Sequence, residues 1–138
     1  MSPKEQMWLK LFRCSCLIVL LTGILPSLAV LELTQEPWRW FYDVLTWPLD
    51  SHPATLTVSE RQFSAVIGGV ICGWALLMYR LSSAEVFTPA IRSLLVQSVW
   101  FWFLVDSIGS LISGLPLNAL SNLGFLLILL VPLSALKK

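Results

Sequence analysis

Between Ser93 and Lys137 one side chain can carry a charge, Asp106, and it sits among hydroxyls and amides at helical spacing. Trp102, Asp106, Ser110 and Ser113 recur at steps of four, four and three, with Gly109 beside them. Asn118, Ser121, Asn122 and Phe125 recur at three, one and three. Each set falls on one face of a helix. A carboxyl in this setting can do two kinds of work. It can hold a proton or a cation, or it can accept hydrogen bonds from Ser110, Asn122 and a first-helix group such as Thr22, setting the register between helices. Both readings stay open. An aspartate near the centre of a membrane helix costs about 2.5–3.5 kcal/mol on insertion scales, so either reading turns it away from lipid. Asp106, Ser110, Asn118 and Asn122 are therefore the candidate polar binding site.

The elements that position them are legible from length. A helix rising about 1.5 Å per residue needs roughly 20 apolar residues to cross a hydrocarbon core of about 30 Å. Residues 93–136 are too long for one crossing and suit two. Gly114-Leu115-Pro116 supplies the break, because glycine can close a helix and proline suits the first turn of the next. Counting away from that turn places Ser113 near Asn118, and Ser110 or Asp106 near Asn122.

Composition agrees with membrane insertion. The chain has 138 residues, 57% hydrophobic and 12% charged, with a mean hydropathy of +0.79. Soluble domains carry about 25% charged residues, and the deficit leaves too little to solvate an outer surface. The expected fold is a single all-α domain, 1–138, of four transmembrane helices at about 11–31, 62–81, 90–113 and 117–136, with a short interfacial helix in the outer loop 32–61.

The first helix is expected to follow a polar tail, with Arg13 snorkelling to the headgroups and Pro26 bending its outer end. A cleavable secretory signal ending at Ser27-Leu28-Ala29 is the rival reading. In the outer loop Trp38, Phe41, Tyr42 and Leu45 fall at i, i+3, i+4 and i+7, one face of a short helix. With Trp40 and Trp47 they form an aromatic segment suited to the water–lipid boundary, or to a lid over a site or a docking surface. His52 reads as a solvent-facing loop residue. In the second span Gly69-x-x-x-Gly73 puts two bare backbone patches one turn apart, for packing within the protomer or in a homodimer. Pro89 is expected to start the third helix.

Charge sets the orientation. Lys4, Lys10, Arg13, Arg80, Arg92, Lys137 and Lys138 share one side of a four-span chain. The other side has Arg39 and Arg61 beside Glu32, Glu36, Asp43, Asp50 and Glu60. The positive-inside rule then puts both termini in the cytoplasm.

Other chemistry is poorly served. No nucleophile–base–acid set, phosphate loop or HExxH occurs, so no reaction can be read. Cys14, Cys16 and Cys72 have no CxxC or metal-ligand spacing, and no cofactor or metal is expected. A net charge of +1 gives no case for nucleic acid.

The run Trp102-Phe103-x2-Asp106-Ser107-x2-Ser110-x3-Gly114-x3-Asn118-x3-Asn122-x2-Phe125 resembles a group of small uncharacterised bacterial four-helix membrane proteins. Phe41-Tyr42-Asp43, and Gly68-Gly69 before Gly73-Trp74, are similar too. The resemblance implies four helices and an inner-membrane address, and it brings no activity. The expected partners are the lipid bilayer and a membrane-protein partner or a second copy. The leading functional expectation is a non-enzymatic accessory or scaffold subunit. The alternative is a transporter-like or small-ligand-binding bundle using Asp106, Asn118 and Asn122.

Overall fold

The computed structural model describes residues 2–46 and 55–136. Trp47, His52, Asp50, Lys137 and Lys138 lie outside the described residues. The described chain is all-helical: α1 (Pro3–Leu28), α2 (Glu36–Thr46), α3 (Val58–Leu81), α4 (Pro89–Ile112) and α5 (Pro116–Ala135). All but α2 are long and apolar enough to cross a membrane, which suggests a membrane protein.

Helix starts follow local capping chemistry rather than the onset of hydrophobicity. α1 begins at Pro3, eight residues before the expected start at 11. The Ser2 hydroxyl accepts from the Glu5 amide, the Glu5 carboxylate accepts from the Ser2 amide at 2.7 Å, and Pro3 occupies the first turn. The polar tail is thus helical. Thr57 and Glu60 form the same box and start α3 at Val58, ahead of the expected 62. α4 starts at Pro89 as expected, with the Thr88 hydroxyl accepting from the Ile91 amide.

The α4–α5 turn is built as its residues predict. Gly114 has φ +76°, the left-handed conformation that glycine adopts without penalty. The Leu115 amide donates to the Ser110 carbonyl at 2.8 Å and the Gly114 amide to Leu111, a Schellman closure. Pro116 opens α5.

α1 packs against α3 and α5, α4 packs against α5, and α2 lies against α1 and α5. The apolar core occupies the half of the bundle nearer the chain termini, where Phe12, Cys16, Ala75, Met78, Val99, Leu129 and Leu133 are fully buried. Two prolines each withhold an N–H from the carbonyl four residues back. Pro132 has no N–H for the Ile128 carbonyl four residues back, and the Ser15 hydroxyl of α1 donates to that carbonyl at 2.8 Å. Pro26 likewise withholds an N–H from the Thr22 carbonyl.

Helix contact between α1 and α3 is made at other glycines than the Gly69-x-x-x-Gly73 pair. The close approach uses Gly68 and Gly23, not Gly69 and Gly73. A Cβ added at Gly68 would sit 2.5 Å from the Gly23 carbonyl oxygen and 2.7 Å from the Ser27 nitrogen. One added at Gly69 or Gly73 would meet nothing within 4 Å. Gly69-x-x-x-Gly73 does not pack within the protomer, because the α1-facing azimuth of α3 passes through Ser64, Gly68, Ala75 and Met78.

Candidate functional site

Each end of the polar site is set by a helix already described. α4 presents Trp102, Asp106 and Ser110 one turn apart, and α5 presents Asn118 and Asn122 just past the Schellman turn. The Asn118 side-chain amide donates to Asp106 Oδ1 at 3.1 Å and to Ser110 Oγ at 2.7 Å. The Ser110 hydroxyl donates back along α4, 2.7 Å from the Asp106 carbonyl oxygen and 3.2 Å from Oδ1. Asp106 Oδ2 accepts no hydrogen bond from any described residue. The carboxyl is half-buried and turned to α5 rather than outward.

The pairing differs from the count along the hairpin. Asn118, not Asn122, reaches Asp106 and Ser110. Asn122, 4% exposed, instead donates to Ser107 Oγ at 3.4 Å. Helix geometry explains this. At 3.6 residues per turn, positions four apart differ by about 40° in azimuth, so Asn118 and Asn122 meet different faces of α4. Ser113 is exposed and takes no part.

Above this network lies a cavity of about 260 Å³ that all five helices line. Its polar wall is Asp106, Asn118, Ser121 and Asn122, with Thr22 from α1. Trp38, Phe41, Tyr42 and Leu45 line it from α2, so the aromatic face that the sequence placed on a short helix points into the bundle. Trp40 and Val44 lie on the opposite, exposed face of α2. Trp38 stacks on Phe41 with ring centroids 5.7 Å apart, and its indole N–H donates to Ser64 of α3 at 3.1 Å. α2 is thereby tied to α3 as well as to α1 and α5.

Sequence reasoning missed two features. Trp74 lines the cavity and bridges α3 to α4: its N–H donates to Ser98 Oγ at 2.8 Å and its ring lies 5.5 Å from Trp102. The signal was its depth, since an indole well inside a span needs a partner for its N–H that lipid cannot supply. Asp43, taken from sequence as an outer-side acid, is 7% exposed, and its Oδ2 lacks a hydrogen-bond partner among the described residues. It does not line the cavity.

The charged groups divide between the two ends. Arg61 pairs with Glu32 at 2.7 Å and Arg39 pairs with Glu36 at the end that carries α2. At the opposite end Arg92 donates to the Leu133 carbonyl at 2.7 Å, and the Arg13 guanidinium lies 4.2 Å from the centre of the Tyr79 ring. Among the described residues no group of three or more His, Cys, Asp and Glu side chains is placed to hold a metal. No protein family, curated protein or solved structure matches the chain.

Proposed function

We propose that this protein is a four-span bundle of the bacterial inner membrane that binds a small molecule between its helices. Both termini face the cytoplasm and α2 lies along the outer boundary as a lid. The carrying observation is the cavity itself: a carboxyl and two amides on one wall, and aromatic rings on the others. Binding sites combine a mostly apolar lining with a few convergent polar groups in this way. The orientation draws support from charge placement, because the arginines at the α2 end are paired with glutamates and those at the other end are not paired with acids in any described contact. The membrane reading is supported by the outward residues of the long helices, where Leu21, Val70, Phe101 and Ile112 are exposed and apolar. No reaction is proposed.

A second reading, an accessory subunit packing against another membrane protein or a second copy, is favoured by one observation. Gly69 and Gly73 leave an open backbone strip on the outer side of α3.

Isolation in mild detergent followed by native mass spectrometry separates them. A chain that carries a small molecule, lost in a Ser121→Phe variant that fills the cavity, supports the binder. A reproducible heteromer whose small-molecule content is nil, in the native chain and the variant alike, would overturn it.

A further inference from the structure

We infer that the cavity takes a small organic ammonium cation, held between the Asp106 carboxylate and the surrounding aromatic rings. The inference rests on the binding function proposed above and names its ligand class.

Three features of the wall converge on this class. The first is charge. Asp106 is acidic and, among the described residues, no Lys, Arg or His lines the cavity. A carboxylate in a low-dielectric site without a counter-charge is costly, and a cationic occupant removes that cost by pairing with it. Its Oδ1 is already fixed by Asn118 and Ser110, while Oδ2 has no partner among the described residues.

The second is the balance of donors and acceptors. Several N–H donors of the wall are engaged elsewhere: Trp38 on Ser64, Trp74 on Ser98, Asn118 on Asp106 and Ser110, Asn122 on Ser107, while the Trp102 indole N–H has no hydrogen bond among the described residues. The Thr22 hydroxyl is likewise turned to the Val19 carbonyl at 2.8 Å. The residues of the wall also carry acceptors with no hydrogen bond among the described residues, namely Asp106 Oδ2 and the carboxamide oxygens of Asn118 and Asn122. The hydroxyls of Ser121 and Tyr42 can serve either way. An anion would be repelled by the Asp106 carboxylate, whereas a cation pairs with it.

The third is the aromatic surface. Trp38, Phe41, Tyr42, Trp74, Trp102 and Phe125 supply rings around the same space. Aromatic faces attract cations through the ring quadrupole, and quaternary ammonium groups are the usual beneficiaries because they are weakly hydrated. The cavity, about 260 Å³, falls below the roughly 300–1,000 Å³ of drug-sized sites, so the cation must be small.

The test uses the full chain in lipid nanodiscs, with binding read by tryptophan fluorescence and by calorimetry. Choline is the probe, its neutral carbon isostere the shape control, and Asp106→Asn the charge control, because it keeps the hydrogen-bonding outline and its fold can be checked by circular dichroism. Choline is expected to bind at least about tenfold tighter than the isostere, and Asp106→Asn to remove that preference. Trp102→Leu should weaken choline more than the isostere. If isostere and choline bind alike, in the native chain and in Asp106→Asn, the ligand class is wrong and the binding function survives. If neither binds, and filling the cavity with Ser121→Phe changes no ligand signal, both fall.

Discussion

α1 and α3 hold each other by backbone proximity, whereas α4 and α5 hold each other through side chains. At the first seam Gly23 and Gly68 bring the two backbones so close that a single methyl group would strike a carbonyl oxygen and an amide nitrogen. At the second, Asp106, Ser107 and Ser110 of α4 meet Asn118 and Asn122 of α5 through a chain of hydrogen bonds. In lipid, apolar surface gains little from meeting apolar surface, so helices associate through close packing or polar contact. This chain uses one device on each side of its cavity. A seam of touching backbones has no room for a ligand; a seam of polar side chains with spare acceptors does.

Four substitutions break or sharpen the contrast, each read as a change in unfolding free energy in mixed micelles. Gly68→Ala should have the largest effect, about 2–3 kcal/mol or more, because backbone atoms rather than flexible side-chain ends stand in the way. A native-like unfolding midpoint for that variant would remove the backbone seam from the account. Asp106→Ala follows at about 1–2 kcal/mol, since it removes the Oδ1 acceptor of the Asn118 amide. An unchanged profile there would mean that the polar seam does not hold α4 to α5. Asp106→Asn should cost only about 0.6 kcal/mol, the average of interhelical hydrogen bonds in membrane proteins. If the cavity holds an ammonium cation this variant is stable and defective for its ligand; under the accessory reading it is stable and fully functional. Gly69→Ala should be smallest, within about 0.5 kcal/mol, because the added methyl meets open space. A marked loss on Gly69→Ala would show that the strip is covered by another chain, which favours the accessory reading.

Much of the frame was legible before any coordinates. Residues 93–136 announced a hairpin through length and through Gly114 and Pro116, and a Schellman turn closes α4 there. The periodicity of Trp38, Phe41, Tyr42 and Leu45 gave a short helix with one working face. Helix starts were less well read, because Ser2-x-x-Glu5 and Thr57-x-x-Glu60 are polar and fall outside hydrophobic runs, yet caps rather than apolarity nucleate those ends. The glycines of the α1–α3 contact, Gly23 and Gly68, were not singled out. The spacing Gly69-x-x-x-Gly73 is a local pattern, while the seam depends on which azimuth of α3 faces α1, and a shift of one residue turns a helix by about 100°.

Sequence alone determined that the chain is apolar enough and long enough for four crossings, and that its single mid-span acid requires shelter, because both follow from the cost of bringing charge and bare backbone into hydrocarbon. Only the tertiary arrangement decided that Asn118 rather than Asn122 shelters it, that Trp74 joins α3 to α4, and that the aromatic face of α2 turns into a cavity. Those outcomes depend on helix azimuth and crossing, which arise when five elements pack together and leave no trace in the spacing along any one of them.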